Sequence, residues 1–137
     1  MLRIGSRKRK LKFSLQNIIN SLENLVGKKI IFCSDCTSTK TLNTCIKSKP
    51  GDIILLENLR FHKEEQSGDL EFAKVLSKLG DVYVNDAFGT AHRNHASTST
   101  ITKFFKQKCI GNLIKIELEN INKILKSHLR PFTAILG

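Results

Sequence analysis

Asp52-Ile-Ile-Leu-Leu-Glu57 is a continuous apolar run that follows a Pro50-Gly51 turn signal. Its length and its β-branched residues are typical of a strand buried on both faces of a parallel sheet. Three other runs predict strands as well: Ile-Ile-Phe-Cys at residues 30–33, Asp-Val-Tyr-Val-Asn at residues 81–85 and Phe-Thr-Ala-Ile-Leu at residues 132–136.

The segments between these runs contain stretches with the apolar periodicity of helices. Apolar residues recur three and four positions apart over residues 15–26, where Ser14 is the predicted N-cap and Gly27 the predicted stop. Three more helices are predicted near residues 40–46, over residues 70–79 between Asp69 and Gly80, and over residues 112–126, with loops at residues 58–68 and 86–100. The alternation of strand and helix predicts an α/β fold with a partial parallel, three-layer (Rossmann-like) sheet and flanking helices.

The composition is that of a basic globular chain. Of 137 residues, 40% are hydrophobic, and 23 Lys and Arg oppose 12 Asp and Glu for a net charge of +11. No apolar run approaches the roughly 20 residues that cross a bilayer. The surplus positive charge attracts anions, which leaves nucleic acid, phosphorylated metabolites and anionic surfaces open as partners. Residues 1–12 form a basic arm, which is interpreted either as a solvated tail or as a non-specific RNA-binding segment.

The four cysteines do not form a recognisable metal or redox motif. Cys33-Ser-Asp-Cys36 has the C-x-x-C spacing, but the second pair of ligands that a structural zinc site needs is absent. Cys33 ends a predicted strand, whereas redox thiols are typically found at helix N-termini. We therefore expect no metal site and no redox role, and buried, reduced cysteines in a cytoplasmic protein.

Basic side chains cluster in the two segments that follow predicted strands. In an open α/β sheet, ligands bind beyond the carboxyl ends of the strands, so these segments are expected to share one edge. They contribute Arg60, His62, His92, Arg93 and His95. Guanidinium forks and histidines suit a small, multiply anionic metabolite. No Ser or Cys has the paired base of a nucleophilic triad, and no glycine-rich phosphate loop is present.

The same segments resemble phosphoglycerate kinases. Three stretches carry the resemblance: Leu-Leu-Glu-Asn-Leu-Arg-Phe-His at residues 55–62, Asp-Val-Tyr-Val-Asn-Asp-Ala-Phe-Gly-Thr-Ala-His-Arg-Asn-His-Ala-Ser at residues 81–97, and Arg-Pro-Phe-Thr-Ala-Ile-Leu-Gly at residues 130–137. The resemblance is expected to run from about Phe13 to Gly137, with the basic arm outside it.

The resemblance implies a monomeric, cytoplasmic glycolytic kinase with two α/β domains. One domain binds 3-phosphoglycerate or 1,3-bisphosphoglycerate, the other binds Mg-ATP or Mg-ADP, and phosphoryl transfer follows hinge closure. By resemblance, Arg60 and Arg93 bind the substrate, while His92 and His95 flank that patch. The implied organisation is a partial substrate domain at residues 13–111, an interdomain helix at residues 112–130 and the first strand of the nucleotide domain at residues 131–137.

Several family segments have no counterpart here, which indicates an incomplete, interior fragment of about a third of a family member. The opening substrate loop, its early arginine and the whole nucleotide site are not found. No residue present is therefore expected to bind the nucleotide or its magnesium, and none is assigned as catalytic. We expect marginal stability and no kinase activity for these residues alone. Two alternatives stay open: a basic RNA-binding protein, and one half of a split enzyme that a separate chain completes.

Overall fold

A computed structural model describes residues 11–126, together with Pro131 and Thr133. The basic arm up to residue 10 and, apart from Thr133, the predicted strand at residues 132–136 lie outside the described residues. The strands are β1 (Ile30–Cys33), β2 (Ile53–Leu56), β3 (Val82–Asn85) and β4 (Gln107–Ile110). The helices are α1 (Ile19–Val26), α2 (Thr39–Lys47), α3 (Lys63–Ser67), α4 (Leu70–Ser77) and α5 (Asn112–Lys126).

The four described strands pair in parallel; the sequence predicts β1, β2 and β3 but not β4. β1 lies beside β2 with Ile30 opposite Ile53, and β3 lies beside β4 with Val82 opposite Gln107. The strands form two separate two-stranded ladders, so the described residues do not join them into one continuous sheet. The α/β class is confirmed.

Helix boundaries follow local capping chemistry. The Ser14 side chain accepts a hydrogen bond from the Gln16 backbone, and the short 3₁₀ turn that begins there leads into α1. α1 ends at Gly27, whose φ of 66° closes the helix in the left-handed region. Asp69 caps α4 as predicted, by accepting from Phe72 N at 2.8 Å. However, α4 ends at Ser77, before Gly80, which has no positive φ.

The segment predicted as a loop at residues 58–68 is largely helical. It holds a 3₁₀ turn, Leu59–Phe61, followed directly by α3. Asn58 supports the turn by accepting a hydrogen bond from the Arg60 backbone at 3.1 Å. Five residues are too few to show the apolar periodicity that predicts longer helices.

The core lies where α4 packs against the 3₁₀ turn Thr100–Phe104. Its buried members are Cys36, Phe72, Ala73, Leu76, Ala96 and Ile101. Tyr83 on β3 packs its ring against Phe105 at 5.7 Å between centroids. β2 is only half-buried along its length, so the prediction that both its faces are fully buried is wrong.

α5 matches the predicted boundaries, residues 112–126, and only Ile114 among its residues is buried. Its other large apolar side chains are between 39% and 75% exposed: Leu113, Ile116, Leu118, Ile121, Ile124 and Leu125. Residues 127–130, which the predicted interdomain helix also includes, lie outside the described residues. No helix in the described part of the chain is long and apolar enough to span a membrane.

Candidate functional site

The basic side chains cluster where β2 and β3 give way to their following turns. Arg60 lies in the 3₁₀ turn Leu59–Phe61 after β2 and is half-buried. His92 and Arg93 follow the 3₁₀ turn Phe88–Thr90 after β3, with Arg93 half-buried and His92 exposed. His95, two residues further on, is buried at 8% exposure.

The pKa of His95 reflects both its burial and the charged residues around it. Burial lowers the pKa of His95, and the positive charges of Arg60, Arg93 and His92 lower it further, whereas the Glu65 carboxylate opposes them. The sequence predicts Arg60, His62, His92, Arg93 and His95 on one edge of the sheet, and their role as a site remains a prediction. The cluster therefore concentrates positive charge around a buried imidazole whose neutral form is favoured.

Arg93 and His92 also interact directly. Arg93 Nε donates toward His92 Nε2 at 3.4 Å, which leaves the two terminal nitrogens of the guanidinium as a planar fork. Such a fork binds carboxylate or phosphate oxygens in pairs. Because Arg93 is partly exposed, an anion can reach this fork without opening the core.

Glu65 on α3 anchors the segment that carries Arg93. Its carboxylate accepts hydrogen bonds from Ser97 Oγ at 2.6 Å and Ser97 N at 3.0 Å. It also lies 3.7 Å from His95 Nδ1, and the Glu65 carbonyl accepts from Ala96 N at 2.8 Å. The carboxylate is buried at 3% exposure, so these contacts are shielded from water. The position of Arg93 is therefore coupled to α3.

Tyr83 provides a second anchor for the same segment. Its hydroxyl donates to the Ser97 carbonyl at 2.9 Å, which links β3 to the backbone that Glu65 also holds. The Thr98 hydroxyl donates to the Arg93 carbonyl at 3.1 Å and closes the loop on itself. The segment after β3 is thus preorganised by buried polar contacts, although its sequence looks like an irregular loop.

Arg60 has its own support from the end of β2. Asn58 accepts from the Arg60 backbone and donates through Nδ2 to the Phe13 carbonyl at 3.0 Å. The preceding residue, Glu57, accepts from Ser14 Oγ at 2.6 Å and from Leu15 N at 2.8 Å. The turn that carries Arg60 is therefore tied to the beginning of the described chain.

Comparison with known proteins now assigns the family. The family model for phosphoglycerate kinase matches residues 3–137. The chain belongs to the phosphoglycerate kinase family. A phosphoglycerate kinase of Chlorobium luteolum is 45% identical over 139 residues, covering 100% of this chain and 35% of its own. One from Chloroherpeton thalassium is 46% identical over 126 residues, covering 92% of this chain and 32% of its own.

Solved phosphoglycerate kinase structures share the fold. The enzyme of Coxiella burnetii has a TM-score of 0.76 and 32% identity, covering 91% of this chain and 30% of its own. The enzyme of Pyrococcus horikoshii has a TM-score of 0.77 and 28% identity, covering 86% of this chain and 31% of its own. The chain thus spans about a third of the length of these family members, as the sequence predicted.

The extent of the family match corrects one prediction. Residues 3–12 of the basic arm fall within the phosphoglycerate kinase match, so placing the start of the resemblance near Phe13 was wrong. The error arose because the arm carries charges but none of the long motifs used to recognise the family. The predicted domain boundaries remain predictions.

His62, which the sequence predicts on the same edge, contacts core residues. Its Nε2 lies 3.4 Å from Cys36 Sγ, and its ring packs against Phe72 at 5.1 Å between centroids. Burial, followed by the negative charge of Asp35, raises the pKa of the Cys36 thiol to about 11. His62 therefore faces the Cys36 thiol. We use the term basic cluster for Arg60, His92, Arg93 and His95.

The four cysteines are free thiols, and the prediction that they are buried is wrong for two of them. Cys33 and Cys36 are buried, Cys45 is half-buried and Cys109 is exposed on β4. Among the described residues, Asp35, Cys36 and His62 form a group of potential metal ligands, with one ligand atom from each within 4.8 Å of the others. A thiol and an imidazole do not suit Mg²⁺, which prefers hard oxygen ligands. This group is therefore not a magnesium site for a phosphoglycerate kinase nucleotide.

Proposed function

We propose that these residues form the phosphoglycerate-binding part of a phosphoglycerate kinase. Arg60 and Arg93 bind the anionic groups of 3-phosphoglycerate or 1,3-bisphosphoglycerate, and His92 and His95 flank them. The observation that supports this proposal is the placement of Arg60 in the turn after β2 and of His92 and Arg93 after β3, with Arg93 Nε 3.4 Å from His92 Nε2. The family membership supports the choice of a three-carbon phosphate over other small anions.

The chemistry of the cluster fits this role. Two permanently charged guanidiniums hold a carboxylate and a phosphate in fixed orientation, which the single charge of a lysine does less selectively. During phosphoryl transfer, positive groups near the acyl phosphate offset the charge that spreads over the transferring oxygens. The pKa of His95 is lowered, and an anion that binds beside it raises its affinity for a proton. We therefore assign it a flanking role that strengthens anion binding.

The nucleotide is the second substrate of the reaction. We place Mg-ATP or Mg-ADP outside these 137 residues, since the family resemblance assigns the nucleotide to a different domain. Catalysis then needs that domain to approach the basic cluster. The reaction would run between 1,3-bisphosphoglycerate and ADP on one side and 3-phosphoglycerate and ATP on the other, within glycolysis. We also propose a cytoplasmic location, which suits four free thiols.

The alternatives differ in what supports them. The RNA-binding interpretation of the basic arm loses support, because the family match begins at residue 3. Completion by a second chain that supplies the nucleotide domain remains a prediction. It fits the coverage of about a third of the relatives and changes nothing in the role of Arg60 and Arg93.

Calorimetric titration with 3-phosphoglycerate tests the proposal. We expect saturable binding that is at least roughly tenfold weaker in Arg60→Ala and in Arg93→Ala, because each removes a charge-assisted pair. Lys123→Ala is the matched control, since it removes one positive charge from the exposed face of α5. Equal loss in the control and the arginine variants would show that net charge alone causes the binding.

A phosphoryl-transfer assay completes the test. A polypeptide of these 137 residues is expected not to form ATP from 1,3-bisphosphoglycerate and ADP. Steady ATP formation that Arg93→Ala abolishes would contradict the placement of the nucleotide site elsewhere.

A further inference from the structure

Asp35, Cys36 and His62 bring a carboxylate, a thiol and an imidazole together outside the basic cluster. One ligand atom from each lies within 4.8 Å of the others. The three residues come from two connections: the loop after β1 holds Asp35 and Cys36, and His62 lies between the turn after β2 and α3. Residues far apart in sequence thus converge at one point of the described chain.

The distance between the two softer ligand atoms is the distance a tetrahedral zinc ion requires. Zn–S bonds are about 2.3 Å and Zn–N bonds about 2.0–2.1 Å, so two such ligands at a tetrahedral angle lie about 3.5 Å apart. Cys36 Sγ and His62 Nε2 are 3.4 Å apart. Their separation therefore fits two ligands of one ion.

The Asp35 carboxylate supplies a third ligand with a defined orientation. Its Oδ1 accepts hydrogen bonds from Thr37 N at 2.9 Å and from Thr37 Oγ1 at 2.8 Å. Such outer contacts orient metal-binding carboxylates. Asp35 is exposed, so an ion can reach its carboxylate from solvent.

The surroundings provide access and room for a fourth ligand. A cavity of about 210 Å³ is lined by Asp35 and His62 together with Ser34, Glu57 and Phe61. A water molecule occupies about 30 Å³ in the liquid, so the cavity beside Asp35 and His62 has room for one. Cys36 itself is buried at 1% exposure, so an ion would approach from the side of Asp35 and His62.

We propose that Asp35, Cys36 and His62 form a binding site for Zn²⁺, with water as the fourth ligand. The ion replaces the proton of the Cys36 thiol, which passes to solvent, and a Zn–S bond forms. The donor set of one sulfur, one nitrogen and one oxygen selects a borderline, thiophilic ion over Mg²⁺ or Ca²⁺. The site differs from the C-x-x-C interpretation of the sequence, because the partner of Cys36 is His62 and Cys33 takes no part.

Binding would join the loop after β1 to the segment after β2. Because an ion that binds only the folded chain stabilises it by mass action, Zn²⁺ should raise the thermal midpoint. This proposal does not depend on phosphoglycerate binding, since His62 lies outside the basic cluster.

Cobalt spectroscopy and zinc competition test the site. All proteins carry Cys109→Ser, which removes the exposed thiol that could bind metal adventitiously. Co²⁺ should produce a thiolate-to-metal charge-transfer band in the near ultraviolet with tetrahedral d–d bands, and Zn²⁺ should remove both. Zn²⁺ affinity, measured against a chromogenic chelator, should fall at least roughly tenfold in Cys36→Ser, His62→Gln and Asp35→Asn.

The control is Cys45→Ser, which removes a half-buried thiol outside the cluster and should keep the band and the affinity. Because Cys36 is buried, Cys36→Ser could fail to fold, and His62→Gln and Asp35→Asn then decide the matter. A charge-transfer band that is absent, or that persists unchanged in His62→Gln and Asp35→Asn, would overturn the proposal. So would a thermal midpoint that Zn²⁺ leaves unmoved.

Discussion

Replacing Glu65 tests whether buried polar contacts hold the segment that carries Arg93. Its carboxylate accepts from the Ser97 hydroxyl at 2.6 Å and from the Ser97 amide at 3.0 Å, and it lies 3.7 Å from His95 Nδ1. Glu65→Ala removes both acceptors from a site that is 3% exposed. Glu65→Gln keeps the shape of the side chain, removes the charge and leaves one oxygen as an acceptor.

The expected magnitude follows from the two charge-assisted hydrogen bonds. Each is worth about 1.5–3 kcal/mol to the free energy of unfolding, and a donor left without a partner adds to the loss. Ser97 is half-buried, so water restores part of its hydrogen bonding. We therefore expect the lower end, about 3 kcal/mol for Glu65→Ala and about 1.5 kcal/mol for Glu65→Gln.

Urea denaturation followed by circular dichroism measures this loss. With an m-value of about 2 kcal/mol per molar urea, Glu65→Ala should lower the midpoint by about 1.5 M with the slope unchanged. Glu64→Gln is the matched control, because Glu64 also lies in the first turn of α3 but is exposed. Glu64→Gln and Glu65→Gln lose the same interaction with the helix N-terminus, so their difference reports the contacts of Glu65 with Ser97 and His95. Equal losses for Glu64→Gln and Glu65→Gln would refute the reasoning.

Three further perturbations have defined outcomes. Glu57→Gln should cost about 1.5–3 kcal/mol of unfolding free energy in urea titration, because the carboxylate accepts two hydrogen bonds, at 2.6 and 2.8 Å, that tie the end of β2 to Ser14 and Leu15, and a local one from Asn58 N at 2.8 Å; the exposed Glu71→Gln should cost under about 0.5 kcal/mol. Gly68→Ala should lower the free energy of unfolding clearly more than Gly27→Ala in thermal melts. Both glycines have φ near +67°, but a Cβ at Gly68 would lie 2.5 Å from the Asn94 carbonyl oxygen, whereas the space at Gly27 is open. About 1–2 kcal/mol is expected for Gly27→Ala, and equal losses would contradict the close approach at Gly68. Because the pKa of His95 is lowered in the folded chain, its contribution to stability is complete above pH 6.5, the ordinary pKa of histidine, and falls as the pH drops below 6.5, where the unfolded chain binds more protons. His95→Gln should flatten this part of the curve of stability against pH. An unchanged slope would contradict the prediction.

The sequence predicts the elements that have strong, regular apolar patterns. The boundaries of α5 and the left-handed stop of the first helix at Gly27 follow from periodicity and capping chemistry. β4 has no such pattern, because all four of its residues are exposed in the structure. α3 is too short to show helical periodicity, so the sequence predicts a loop where the structure has a short helix.

Only part of the candidate site follows from the sequence. The rule that ligands bind beyond the carboxyl ends of parallel strands predicts Arg60 and Arg93 in one region, and the structure places them in the turns after β2 and β3. The rule does not predict side-chain direction, which is why His62 is predicted in the cluster but faces Cys36. Glu65 was missed as an anchor, because no local pattern shows that a helical carboxylate will meet a serine 32 positions away.

The pKa of His95, measured by NMR with and without 3-phosphoglycerate, tests the central claim most directly. The resonance is assigned by its loss in His95→Gln. If Arg60, Arg93, His92 and His95 form one phosphoglycerate site, the pKa lies below its ordinary value in the free chain and rises when the anion binds, because negative charge then opposes the guanidiniums. A His95 pKa that stays unchanged at saturating 3-phosphoglycerate would contradict the account.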